Sequence, residues 1–126
     1  MSKIKTFDLK PLEETKFTKA IELFNSKEWY LAHDVLEEIW HETNFPERTT
    51  VQALLQIAVA QLHLSRGNVN GATILYGEAL GRLRENAMTD LGLDIDSLCQ
   101  NVQERLSLLQ QGLTPDKLIA PVLLPK

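Results

Sequence analysis

Apolar residues recur at helical intervals along most of the chain. Phe17, Ala20, Ile21 and Phe24 trace one buried helix face. The acidic pair Glu13-Glu14 suits a helix start, where the macrodipole favours carboxylates. A first helix is predicted over 13–25, after a tail over 1–12 that Pro11 closes. Asn25-Ser26-Lys27 reads as a turn. A second helix over 28–42 gathers Trp29, Ala32, Leu36, Ile39 and Trp40 on one side at 100° steps. Pro46 ends that stretch, because the residue before a proline avoids the helical region. Thr49 or Thr50 then caps a third helix that runs to Arg66 and is apolar almost all round, the pattern of a central helix. Gln52, Gln56, His63 and Arg66 form its polar stripe. A fourth helix covers 69–86 and carries Gly71, Gly77 and Gly81, which suggests close helix–helix approach. Asp94 or Asp96 caps a fifth, with Leu98, Val102, Leu106 and Leu109 facing inward and Gly112 ending it. Residues 112–126 read as a C-terminal tail, in which Thr114-Pro115-Asp116 opens one last turn and Pro121 to Lys126 is extended, with Leu123 and Leu124 packing.

Shifting the chain by forty residues superimposes like on like. Ala20 meets Ala60, Phe24 meets Leu64, Lys27 meets Gly67, Ala32 meets Ala72 and Val35 meets Leu75. Each copy is a helix, a tight turn and a second helix with a small residue near its start. Phe24, Tyr30, Ala32 and Ile39 resemble positions of the tetratricopeptide helical hairpin, although the period is longer and only two copies exist. The expected architecture is therefore all-α: about five main helices, as two stacked antiparallel hairpins plus a C-terminal helix, in one domain over 13–111.

The bulk properties narrow the function. The 126 residues suit a single domain with its own core. The formal charge is −4 and no run of Lys or Arg exists, so the basic footprint of a nucleic-acid binder is missing. The longest apolar stretch, Ala53 to Leu64, is interrupted by Gln56, Gln61 and His63 and is too short to span a bilayer. The single Cys99 makes no internal disulfide, and the N-terminus is not a signal peptide. A cytoplasmic protein without nucleic-acid or membrane partners is expected.

The candidate chemistry gathers on the second and third helices. His33 and Glu37 are four apart and share a helix face. With Trp40, Gln56, His63 and Asn68 they form the candidate pocket. Three readings compete. Structurally, His33 and Glu37 tie the second helix to Gln56 or His63, because buried polar groups need partners. As an acid–base pair, Glu37 orients His33 while Gln56, His63 and Asn68 hold a small polar ligand. As a metal site, His33, Glu37 and His63 supply ligands, but no His-Glu-x-x-His exists and no metal is assigned.

Phe24-Asn25, His33, Glu37, Trp40, Leu55-Gln56, His63, Arg66-Gly67-Asn68 and Gly71-Ala72 together resemble the domain of unknown function 309 family over roughly residues 17–86. The chain has His33-Asp34 where the family pattern often has His-Glu. The resemblance implies a small all-helical prokaryotic protein and no established activity or cofactor. The function expected is a helical binding or scaffold module that docks a protein or peptide, with a small metal-dependent or acid–base enzyme as the alternative. Tyr30, Leu31 and the C-terminal leucines, if exposed, would favour a homodimer.

Overall fold

The computed structural model describes residues 11–85 and 88–126. The expected tail thus lies, over residues 1–10, outside the described residues. Five helices follow one another: α1 Pro11–Asn25, α2 Trp29–Glu42, α3 Glu47–Ser65, α4 Val69–Leu83 and α5 Ile95–Gln110. The fold is all-α. Each helix packs chiefly on its neighbours in sequence, with α3 and α4 in the most extensive contact. Among the described residues the one antiparallel bridge joins Leu93 to Pro125.

Helix starts depart from expectation for local reasons. Pro11 opens α1 rather than closing a tail, since proline's missing N–H costs nothing in the first turn. Helix α3 starts at Glu47, before either threonine. The carbonyls of Asn44 and Pro46 accept from Arg48 and Thr49, so no threonine cap is needed. Thr50 is instead fully buried, and its hydroxyl donates to the Thr89 carbonyl. Helix α4 ends at Leu83, short of the expected Asn86, which itself lies outside the described residues. Asp94 caps α5 by accepting from the Ser97 N–H at 3.1 Å.

The forty-residue repeat is visible in the backbone. Lys27 and Gly67 both adopt positive φ, 64° and 80°. In the first turn Lys27 N donates to Phe24 O at 3.0 Å and Glu28 N to Leu23 O at 2.9 Å. In the second, Gly67 N donates to Leu64 O at 3.1 Å and Asn68 N to His63 O at 2.8 Å. Both are Schellman ends, in which a left-handed residue lets two N–H groups return to the last turn. Helix α5 ends the same way at Gly112, where Leu113 N reaches Leu108 O at 2.9 Å. A side-chain contact repeats as well. Lys16 on α1 lies 3.4 Å from Glu38 on α2, and Gln56 on α3 donates to Glu78 on α4 at 2.8 Å.

The core is built from these matching faces. Phe17, Ala20 and Phe24 of α1 meet Ala32, Leu36 and Ile39 of α2, and Val51, Leu54 and Ile57 continue it on α3. Phe24 and Trp29 pack edge to face, ring centroids 5.0 Å apart. Ala32 and Ala72 are both fully buried. The glycines of α4 do not bring helices together: a Cβ on Gly77 or Gly81 would meet nothing within 4 Å. Close packing on that helix rests on Ala72 and Ala79 instead.

Residues 113–126 pack back onto the bundle as a strap that turns once at residues 116–118, where Leu118 N donates to Pro115 O at 3.1 Å. Asn25 holds the Leu123 backbone twice, donating to its carbonyl at 2.9 Å and accepting from its N–H at 2.7 Å. Buried Arg105 donates to the Ile119 carbonyl at 2.8 Å and to Asn101 at 2.9 Å. Pro115, Pro121 and Leu123 are buried, whereas Leu124 stays exposed.

Candidate functional site

The second helix turns one edge toward solvent, and the C-terminal end of that edge meets Arg48 of α3. His33 sits on that edge, its ring a quarter exposed. Its Nδ1 is buried and has no hydrogen-bond partner in the protein. Asp34 Oδ1 lies 3.5 Å from it, near enough to attract a protonated ring but not aligned as a hydrogen bond. The nearest carboxylate is therefore that of Asp34, while Glu37 reaches into solvent. Tyr30 lies beside His33 with ring centroids 6.0 Å apart.

Trp40 ends the same edge. The Arg48 guanidinium stacks 4.1 Å from its ring centroid, a cation–π contact, and His41 lies against it at 5.0 Å. The indole Nε1 is buried and unpartnered, although buried tryptophan N–H groups normally find an acceptor. Gln56 spends its amide N–H on Glu78, which leaves its buried Oε1 unpartnered. Three of the four such atoms among the described residues thus fall on His33, Trp40 and Gln56. The fourth is the Thr89 hydroxyl.

His63 and Asn68 come together elsewhere, at the α3–α4 turn. Asn68 Oδ1 accepts from the Gly71 N–H at 2.9 Å, capping α4, and its amide lies 3.3 Å from His63 Nδ1. A Cβ at position 71 would sit 2.6 Å from the Asn68 amide, so the cap and the glycine go together. No direct hydrogen bond joins His33 Nδ1 to Gln56 or His63. Among the described residues no three His, Cys, Asp or Glu side chains are grouped to hold a metal ion.

Sequence reasoning missed two polar arrangements. Lys16 bridges Glu38 and Glu42, at 3.4 and 3.2 Å, and these contacts, Glu42 foremost, raise its pKa. Tyr76, fully buried on α4, donates to Gln61 on α3. Burial pushes its phenol up to about 12, and the nearby Arg105 guanidinium opposes that rise. The signal available was Gln61 itself, a polar residue inside the apolar run of α3.

Two concavities lie away from the six candidate residues. One, of about 560 Å³, opens between α4 and α5 among Leu83, Arg84, Met88, Asp90, Cys99 and Lys126. Burial pushes the Cys99 thiol up there. The other, of about 280 Å³, lies at the α2–α3 loop between Glu42, Asn44, Phe45 and Glu47. No helix among the described residues is long and apolar enough to cross a membrane.

Comparison with known proteins adds one relative and one family. The chain is similar to the uncharacterized protein YpuF of Bacillus subtilis (strain 168), 32% identical over 92 residues. That match covers 68% of this chain and 53% of YpuF, so the chain spans about half the length of this curated relative. No solved structure matches. The model of one family, described as a domain of unknown function, matches residues 17–75. That span holds both hairpin turns and all six candidate residues, and over it the chain carries a DUF309 domain.

Proposed function

We propose that this domain is a cytoplasmic binding module that receives a protein segment along α2 and its border with α3. One observation carries the reading: three of the four buried, unpartnered polar atoms among the described residues belong to His33, Trp40 and Gln56. Each costs stability while it stays unpaired, and a docked partner toward which these side chains turn outward can supply the missing donor or acceptor. Paired helical hairpins of the tetratricopeptide kind suit such a role, because stacked repeats present extended surfaces. The enzyme alternative finds less support. Glu37 is solvent-exposed and the nearest carboxylate to His33 is Asp34, while His63 is engaged with Asn68 at the far turn.

Site-directed photo-crosslinking in cells tests this. A photo-reactive phenylalanine replaces Tyr30 in the full chain, or replaces Gln100 on the polar face of α5. A discrete adduct is expected from position 30 and not from 100, and His33→Leu should abolish it while the domain stays folded. Glu37→Ala should leave stability within about 0.5 kcal/mol, as for an exposed surface position. No adduct from position 30, or equal labelling from both positions, overturns the reading.

A further inference from the structure

Helix α2 holds the whole net charge of the protein. Of 17 carboxylates and 13 Lys and Arg in the chain, Asp34, Glu37, Glu38 and Glu42 lie on α2 with no Lys or Arg among its residues. That leaves thirteen of each sign elsewhere. Lys16 answers Glu38 and Glu42 from α1. Among the described residues Asp34, about half exposed, is within ion-pair distance of His33 only, and Glu37 makes no ion pair. Apolar groups bracket this acidic stretch. Tyr30 and Leu31 are 55% and 48% exposed in the first turn of α2, and Phe45 is 66% exposed just past its end. Phe45 stands in the 280 Å³ concavity with Glu42 and Glu47.

We infer that the partner is a basic protein segment with apolar ends, about four helical turns long. Lysine or arginine side chains face Asp34 and Glu37. Apolar residues cover Tyr30 and Leu31 at one end and the exposed Phe45 at the other. This rests on the binding-module reading. Its support is complementarity of sign together with the exposed apolar side chains. Acidic side chains alone would stay hydrated, but desolvated beside apolar cover they attract a cation more strongly. The sign of the face also repels nucleic acid.

Fluorescence anisotropy with labelled synthetic helical peptides tests the inference on the full chain. One probe has leucines on its end turns and lysines between. The second replaces the lysines by glutamates, and the third replaces the leucines by serines. The lysine–leucine probe should bind. Its Kd should rise at least about tenfold for Asp34→Lys/Glu37→Lys, and again from about 0.1 to about 1 M salt, as the Debye length falls from about 10 to about 3 Å. The serine probe should bind more weakly than the leucine probe. Asp34→Asn/Glu37→Gln, the milder change, should fall between, and circular dichroism confirms that both variants fold. The inference is overturned if the glutamate probe binds as well as the lysine probe. It is equally overturned if charge reversal leaves Kd within about twofold, if the lysine probe does not bind, or if sedimentation shows a second copy of the chain covering α2. If the position-30 adduct forms but ignores salt and charge reversal, the basic partner falls and the binding module stands. Absence of the adduct removes both.

Discussion

Tyr76→Phe removes one hydroxyl from the centre of the second hairpin and nothing else. The ring stays, so no cavity opens. What changes is Gln61, only 8% exposed, whose Oε1 loses the donor it has in the native fold. A buried acceptor left unpaired costs about 1–3 kcal/mol. Gln61→Leu should cost a similar amount, about 1–3 kcal/mol, because it strands the phenol O–H, which the Arg105 guanidinium, a donor only, cannot accept. The double variant removes both halves of the pair and should lose less than the sum of the two, with a coupling of about 1–2 kcal/mol. The first hairpin supplies the precedent: forty residues upstream the same two positions are Ile21 and Leu36, and Leu36 is fully buried. Urea unfolding followed by circular dichroism measures all four proteins, and an unchanged slope confirms that each change lies in stability. At the size of this chain the Tyr76→Phe loss would lower Tm by about 4–11 °C. Additivity within about 0.5 kcal/mol would refute the reasoning, because the two groups would then not depend on each other.

The same phenol sets an alkaline limit. Its pKa is about 12 against an ordinary 10, so the folded state holds the proton more tightly than the unfolded chain. That contribution is complete below pH 10 and is lost as pH rises from 10 to 12, amounting to about 2–3 kcal/mol. Urea midpoints across that interval should fall for the wild type and fall less for Tyr76→Phe. Asn25→Ala should cost about 1–2 kcal/mol by deleting both bonds to Leu123. Hydrogen exchange should then quicken at Leu123 while the amides of α3 keep their protection.

Helical periodicity and turn residues made the five helices legible, because both are local signals. Gly67, Gly112 and Asp94 sit where their chemistry predicts. Local signals misled where a residue serves a distant one. Thr50 looks like a cap but spends its hydroxyl on Thr89, 39 residues away. The glycines of α4 suggested close packing, yet Gly77 and Gly81 face open space. His33 and Glu37 share a face by spacing, but spacing says nothing of rotamers, and the nearest carboxylate belongs to Asp34. His33, Trp40 and Gln56 could be picked out as polar groups on buried stripes. That their atoms lack partners depends on what every neighbour already bonds to, which only a three-dimensional count gives.

The strap has a consequence for size. Three odd-numbered helices end on the same left-handed turn, so the end of α5 is shaped to launch a further helix. The chain instead makes one turn at residues 116–118 and returns along the bundle. Leu123 is tied to Asn25 at the end of α1, and the adjacent Leu124 accepts from Asp94 N at the start of α5. Consecutive Cα atoms are about 3.8 Å apart, so the two ends of the five-helix array are pinned to almost one point. The strap thus acts as a ruler. Another hairpin inserted before α5 would push Asn25 and Asp94 apart beyond the reach of neighbouring residues, and the molecule would have to give up its clasp to grow.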